Sequence, residues 1–240
     1  MHIKKSIPLI AILLFVGLKV FGQQKASMKE LKPVFDHLKS LKAYSFENHT
    51  NAVFANGKSD ALVTKVYMDK QNQCLFYSNK GETLLLNHKW IYKASHNTKI
   101  VQVFDVNAYN KRNKKVQSDI RSLFQYDISS SLIDSVIMKY GTLLSSEKKG
   151  PLTTYKIGFP SEAGVKNVTV VYNENTQLPE SIYIKMLKEE GRQKLQTEVL
   201  CNNYKATIPS SIFDEHNYFS IIQQKVALTQ YKNYKVYSLL

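Results

Sequence analysis

The sequence predicts one α+β domain built on an antiparallel sheet, in which a helix precedes a long run of strands. Apolar residues recur every three or four positions between Ser27 and Leu41, a spacing that places them on one helix face. From Tyr44 onward the apolar residues alternate with a period of two between short turn signals, which is typical of strands. Because no Pro/Gly/Ser-rich linker and no repeat of fixed length divides the chain, a single domain is expected.

The first half of the chain predicts a helix followed by a meander of strands. The helix spans Ser27–Leu41, and Pro33 places its true start nearer Leu31 or Lys32, because proline is tolerated only in the first turn. The strands are predicted at Tyr44–Phe54, Ala61–Met68, Gln73–Asn79, Thr83–Leu86, Lys89–Lys93 and Ile100–Phe104. Their regular spacing and tight turns indicate antiparallel pairing between neighbours.

A helical insertion is predicted between this meander and a second group of strands. Tyr109–Lys115 reads as a polar, basic connection, and helices follow at Ser118–Gln125 and Ser129–Tyr140, where Gly141 supplies a stop. Strands resume at Thr153–Phe159, Val168–Tyr172, Ser181–Leu187 and Lys194–Tyr204, and the tail from Val226 to Leu240 is again strand-like.

The N-terminus has the pattern of a cleaved signal peptide over residues 1–22, which leaves 23–240 as the domain. Lys4 and Lys5 form a basic head before an apolar run of 12 residues, from Ile7 to Leu18. That run is shorter than the roughly 20 residues a membrane-spanning helix needs. Cleavage after Gly22 removes three lysines and no acid, so the net charge falls from +14 to +11. A periplasmic location is therefore predicted.

Catalytic and metal-binding patterns are missing from the sequence, so neither an enzyme nor a bound cofactor or metal is expected. The six histidines stand at no ligand spacing to one another, to cysteine or to glutamate. The nucleophile pattern Gly-x-Ser-x-Gly and a glycine-rich phosphate loop do not occur. Cys74 and Cys201 leave two alternatives open, a disulfide or two buried free thiols.

Two readings of the apolar strand residues also stay open, a ligand cavity and a packed core. On the cavity reading the lining comes from one face of the strands and from the second helix of the insertion. That lining comprises Phe46, Phe54, Val66, Met68, Leu75, Tyr77, Trp90, Tyr92, Val101, Val103, Leu132 and Val136. The basic excess is either a solvated surface or a contact for anionic headgroups, and it is densest at Lys111–Lys115. Export argues against nucleic acid as the partner.

Several local patterns resemble the LolA/LolB type of outer-membrane lipoprotein carrier superfamily. They are Val63–Met68 followed by Cys74–Asn79, Thr83–Tyr92, Val168–Asn173 with Leu178–Pro179, and Ile208–Phe213. The resemblance implies an incomplete antiparallel β-barrel, a strongly curved sheet whose concave face is covered by helices over an apolar cavity. Two departures are Gln177, where the family commonly has glycine before Leu-Pro, and the lack of an arginine in Tyr44–Phe54.

The main functional hypothesis is a monomeric periplasmic carrier or sensor that shelters an acyl chain of a lipid or lipoprotein in the cavity. The Ser129–Tyr140 helix would gate that cavity, and the Lys111–Lys115 run would meet an anionic membrane surface. The alternative is a cell-envelope protein–protein interaction module with a solid core and no ligand. The two differ in whether lipid accompanies the protein through purification and alters the emission of Trp90.

Overall fold

A computed structural model describes residues 27–54, 56–112, 136–161, 164–190 and 193–240, without the side chains of residues 112, 188–190 and 193–195. The predicted signal peptide, the predicted helix Ser118–Gln125, Leu132 and most of the Lys111–Lys115 run lie outside these residues. No helix in the described ranges combines the length and hydropathy needed to cross a membrane.

Fourteen strands and a few short helices make up the described chain. The helices are α1 (Lys32–Ser40), α2 (Val106–Arg112) and α3 (Met138–Tyr140), with 3₁₀ turns at Met28–Glu30, Ser210–Phe213 and Glu215–Asn217. The first strands are β1 (Ala43–Val53), β2 (Ser59–Asp69), β3 (Cys74–Ser78), β4 (Glu82–Leu86), β5 (Trp90–Ser95) and β6 (Ile100–Asp105). The others are β7 (Thr142–Lys149), β8 (Leu152–Gly158), β9 (Val165–Asn173), β10 (Leu178–Glu190), β11 (Gln193–Lys205), β12 (Phe219–Ile222), β13 (Lys225–Leu228) and β14 (Lys235–Leu239).

Twelve of these strands form one large curved sheet in the order β14-β6-β5-β4-β3-β2-β1-β11-β10-β9-β8-β7. Every neighbouring pair is antiparallel except β14 and β6, which are parallel. Strands β12 and β13 form a separate hairpin. In the described ranges no ladder joins the edge strands β14 and β7, so the sheet is open. The predicted α+β class and the dominance of antiparallel pairing are confirmed.

Helix α1 begins where proline requires it to begin. The Ser27 hydroxyl accepts a hydrogen bond from the Lys29 amide, and Glu30 accepts one from the Ser27 amide, which caps the preceding 3₁₀ turn. Pro33 lies in the first turn of α1, as predicted. The helix buries its apolar stripe, Val34, Phe35 and Leu38, against the sheet.

The two faces of the sheet carry two separate apolar clusters. The face that packs against α1 is here called the helix face. Its apolar cluster extends in sheet order from β4 through β1 and β11 to β8, and it includes Leu75, Leu86, Ile157 and Ile184. The opposite face of β2–β6, here called the outer face, buries Cys74, Phe76, Leu85, Trp90, Tyr92, Ala94, Val101 and Val103. Strands β3 and β4 therefore have apolar side chains buried on both of their faces.

The C-terminal segment from Ile208 to Tyr234, here called the outer cover, buries the outer face of β2–β6. Phe219 stacks on Tyr92 at a centroid distance of 5.8 Å and meets Trp90 edge-on at 5.5 Å. Tyr218 packs against Phe76 and Tyr92, and its burial raises its pKa to about 12. Such aromatic contacts contribute beyond the area that they bury, which makes this cover part of the core.

Asn87, in the turn between β4 and β5, connects the sheet to the outer cover. Its Oδ1 accepts hydrogen bonds from the backbone amides of Lys89 and Trp90 at 3.0 and 2.7 Å. Its Nδ2 donates to the Phe213 carbonyl at 3.2 Å and to Glu215 Oε2 at 3.1 Å. The side chain is buried, and its hydrogen bonds to the Trp90 amide and to the Phe213 carbonyl are shielded from water.

Two details of the turns explain sequence features noted above. Gln177 has a φ of 56°, in the left-handed region that favours glycine, which is the residue common at this point in the LolA-type superfamily. Gly141 ends α3, and a Cβ at that position would clash with the Ile137 carbonyl oxygen and with the Ile157 side chain.

The middle of the chain differs from the prediction in two places. Residues Val106–Arg112 form α2, where a polar connection was expected, because Val106 packs on the helix-face cluster and Asp105 accepts a hydrogen bond from the Ala108 amide. Strand β7 was not predicted, since it buries only Leu143 and its remaining residues are exposed.

Candidate functional site

The residues predicted to line one cavity are divided between the two faces of the sheet. Phe46, Val66, Met68, Leu75, Tyr77 and Val136 lie on the helix face, whereas Trp90, Tyr92, Val101 and Val103 lie on the outer face beneath the outer cover. Phe54 is 46% exposed and belongs to neither cluster. Leu132 lies outside the described residues. The four residues of β5 and β6 and Phe54 therefore do not share one face with the others, and contact of any of these residues with a ligand stays a prediction.

The register of the β4–β5 hairpin is the physical cause of this division. Leu86 pairs with Ile91 and Leu85 pairs with Tyr92, so the odd-numbered residues of β5 share the face of Leu75 and Leu86. The prediction placed Trp90 and Tyr92 on that face. A shift of one residue moves every side chain of a strand to the other face.

The register brings a transverse apolar row together on the helix face, running Met68–Leu75–Leu86–Ile91–Phe104 across β2 to β6. With neighbouring strands about 4.8 Å apart, the row is about 19 Å long. Met68, Leu75 and Leu86 are buried, whereas Ile91 and Phe104 are half-buried. Phe104 also meets Tyr109 of α2 at a ring distance of 5.5 Å. Leu86, Ile91 and Phe104 were not predicted, because only the pairing across β3–β4, β4–β5 and β5–β6 reveals them.

The next row of paired residues on the helix face contains polar side chains and borders the apolar row. In it Leu84 pairs with Lys93, and Lys93 pairs with Gln102. Glu82 accepts a hydrogen bond from the Tyr77 hydroxyl at 2.7 Å and forms an ion pair with Lys93 at 2.9 Å. Burial of Glu82 opposes its ionisation, but the hydrogen bonds from Tyr77 and Lys93 outweigh it and hold the pKa of Glu82 below its usual range. Burial and the Glu82 carboxylate raise the pKa of Tyr77.

The described residues contain one group with metal-ligand chemistry, Asp214, Glu215 and His216 on the surface of the outer cover. These side chains already have structural roles. Asp214 caps its 3₁₀ turn by accepting from the His216 amide, and Glu215 accepts from Asn87. We therefore assign them to the turn rather than to a metal.

The two cysteines are free thiols buried on opposite faces of the sheet, Cys74 on the outer face and Cys201 on the helix face. Burial raises the pKa of both thiols, that of Cys201 to about 11. The alternative of two buried free thiols is the one that the structure contains, and neither thiol has the lowered pKa of a reactive cysteine.

Two grooves flank the outer cover on the outer side of the sheet. The first, about 450 Å³, is lined from the sheet by Ser45, Phe46, Glu47, Lys65, Tyr67, Asn203 and Lys205, and from the chain that follows β11 by Thr207, Pro209 and Ile212. The second, about 540 Å³, is lined by side chains around Cys74 and Asn87 together with Asp69, Asp214 and Glu215. Both volumes lie within the usual range for ligand pockets.

No protein-family model and no curated protein matches the sequence. The fold is similar to that of an uncharacterized conserved protein from Thermus thermophilus, with 10% identity, 88% of this chain and 99% of that chain covered, and a TM-score of 0.42. It is also similar to a LolA superfamily protein from Nitrosomonas europaea, with 8% identity, coverage of 80% and 99%, and a TM-score of 0.30. Both likenesses are distant ones.

A third similar structure is the MucA/MucB complex of Pseudomonas aeruginosa, with 11% identity and a TM-score of 0.27. The likeness covers 76% of this chain but only 60% of that one. These likenesses concern the fold.

Proposed function

We propose that the protein is an exported, periplasmic binding protein that holds an acyl chain, from a lipid or a lipid-modified peptide, against the helix face of its sheet. The observation that supports this function is the transverse row, an apolar track across five strands. Its end at β5 and β6, formed by Ile91 and Phe104, is only half-buried. Lys93 and Gln102 lie beside that end and give the track a polar border.

The affinity of such a track comes from burial of methylene groups. Each buried CH₂ contributes about 0.8 kcal/mol, which corresponds to about a fourfold change in Kd. Binding should therefore tighten by about fourfold for each methylene added to a fatty acid, up to the length that the row covers. A polar border orients the carboxyl end away from the apolar row, because an unpaired buried charge is strongly unfavourable.

The first test is native mass spectrometry, with lipid extraction, of the protein purified from the envelope fraction of an expressing cell. A stoichiometric acyl-bearing species supports the carrier. The same spectrum shows whether residues 1–22 have been removed. A clean apo mass that stays unchanged after incubation with lipids contradicts the proposal.

A matched pair of variants locates the site. Phe104→Asp places a charge in the row and should weaken binding of a fluorescent fatty acid by tenfold or more, whereas Phe54→Asp, at an exposed position outside both clusters, should leave it unchanged. Ile91→Thr keeps a β-branched, uncharged side chain and covers the case in which Phe104→Asp fails to fold. Equal effects of the Phe104 and Phe54 variants would place the ligand elsewhere. Trp90 emission should not respond, because Trp90 lies on the outer face.

The second candidate function is a cell-envelope protein–protein interaction module, and the free edge of the sheet supports it. Strand β7 pairs only with β8 among the described strands and is exposed along most of its eight residues, with Leu144 66% exposed. An exposed edge of this length is a template for strand addition by an extended peptide. This function takes precedence if the purified protein carries no lipid and binds none.

A further inference from the structure

The first groove on the outer side, here called the bulge groove, is built by an irregularity in the sheet. Ser45 of β1 pairs with Lys205 of β11, and Glu47 pairs with Asn202, so two residues of β11 stand opposite Phe46 alone. The extra residue is accommodated by Asn203, whose φ of 56° lies in the left-handed region. Asparagine is among the few residues other than glycine that adopt this conformation readily.

The bulge reverses the direction of the side chains that follow it. Cys201 lies on the helix face, and strict alternation would place Lys205 there as well. Instead Tyr204 takes the helix face, where it stacks on Phe46 at 5.3 Å, and Lys205 lines the groove on the outer side. Bulges of this kind re-aim side chains and are common next to functional sites.

The charges in the groove leave it with a cationic excess. Glu47 is the carboxylate of the lining, and it accepts a hydrogen bond from Asn203 Nδ2 at 3.2 Å and has Lys65 at 4.0 Å. Lys205 is exposed and makes no ion pair within the part of the chain that the structure describes. Two lysines and one engaged carboxylate give a lining that attracts an anion.

The remaining walls have the mixture of surfaces that a small organic molecule requires. Tyr67, Pro209 and Ile212 supply apolar surface. The hydroxyls of Ser45, Tyr67 and Thr207 supply hydrogen-bonding groups. The lining is thus of mixed polarity, and converging polar groups that fix the orientation of a ligand are typical of small-molecule sites. Phe46 belongs at the same time to the helix-face cluster, so the floor of the groove is shared with the core.

We propose that the bulge groove binds a small organic anion, a carboxylate or phosphate carried on an apolar or aromatic group, with Lys205 as the anchoring cation. This site lies on the face of the sheet opposite the proposed acyl site and is independent of it. The same anionic chemistry is presented by a free small molecule and by a lipid headgroup at a membrane surface. The position of the groove, between the sheet and the chain after β11, favours the free molecule.

Isothermal titration of the purified full chain with phenyl phosphate and with benzoate tests the proposal. One-to-one binding is expected, with no binding of benzyl alcohol, which lacks the charge. Lys205→Met should weaken binding by about tenfold or more, because it removes a hydrogen bond to a charged group, whereas Lys205→Arg should retain it. Lys156→Met removes an exposed lysine of β8 outside the groove and should change nothing.

The bulge itself provides a second variant. Asn203→Gly keeps the left-handed conformation and should retain binding, whereas Asn203→Val disfavours that conformation and should abolish binding along with the re-aiming of Lys205. Equal losses in Lys205→Met and Lys156→Met, or no binding of either anion at millimolar concentration, would overturn the proposal. Binding only to vesicles that contain phosphatidylglycerol, lost in Lys205→Met, would overturn it in favour of a membrane contact.

Discussion

The outer face of the sheet is two different surfaces. Across β2–β6 it is apolar, aromatic and covered by the outer cover. Across β8–β11 it carries polar side chains such as Thr154, Lys156 and Lys185, which alternate along the strands with buried residues of the helix face. The helix face is apolar in both halves. The comparison shows that strict alternation marks strands with one covered face, and that continuous apolar runs such as Cys74–Phe76 and Leu84–Leu86 mark strands covered on both.

Truncation of one aromatic side chain on each part of the outer face, β2–β6 and β8–β11, should give the largest difference in the free energy of unfolding. Phe219→Ala removes a fully buried ring that packs on Tyr92 and Trp90, and it should lower the free energy of unfolding by about 3–5 kcal/mol. Tyr183→Ala, on the half-buried outer face of β10, should cost about 1 kcal/mol or less. Urea unfolding followed by circular dichroism measures both. Equal losses would show that the outer cover is not part of the core.

A smaller difference is expected between two asparagines that shape hairpin turns. Asn87→Ala removes two hydrogen bonds within the β4–β5 turn and two to the outer cover, and we expect a loss of about 2–3 kcal/mol. Asn173→Ala, in the exposed turn between β9 and β10, removes bonds to the amides of Asn175 and Thr176 and should cost less than about 1 kcal/mol. Similar urea midpoints for the two variants would contradict the assignment of Asn87 as the connection to the cover.

The smallest effect is a dependence on pH that separates two carboxylates. The folded-state pKa of Glu82 is lowered, so its stabilisation is present above the unfolded value of about 4.3 and is lost as the pH falls through the folded value. Glu82→Gln should therefore flatten the fall in the urea midpoint between about pH 5 and 3. Glu198 forms an ion pair with Lys185 on the uncovered part of the outer face, across β8–β11. Glu198→Gln should flatten the fall in the urea midpoint less than Glu82→Gln does, because solvent screens the pair of Glu198 and Lys185. A larger flattening in Glu198→Gln than in Glu82→Gln would contradict this distinction.

The elements could be predicted from the sequence because their signals are local. The start of α1 follows from Pro33, and β1–β6 and β8–β11 lie within a few residues of the predicted positions. Strand β7 could not be found in this way, because its exposed residues carry no apolar alternation. The strand-like signal over Val226–Leu240 spans the end of the outer cover and β14, but nothing local shows which surface the cover buries or which strand β14 joins.

The candidate sites were harder to predict because they depend on pairing. Alternation identified Leu75 and Tyr77 as one face of β3, and Tyr92 as one face of β5, but the β4–β5 turn alone determines that these faces are opposite. The bulge groove depends on the conformation of Asn203, one asparagine among several in turns and strands. Composition could not distinguish it from the others.

The parallel pairing of β14 with β6 has a consequence for the order in which the chain folds. Lys235 lies opposite Ile100, and Leu239 lies opposite Phe104, so the edge of β6 is completed by residues from the far end of the sequence. A chain that emerges N-terminus first exposes the unpaired amides and carbonyls of β6 until its last residues arrive. Contacts of such long range form slowly, and open edges invite wrong partners. Strand β6 can therefore gain its second neighbour only after residues 235–239 have been synthesised.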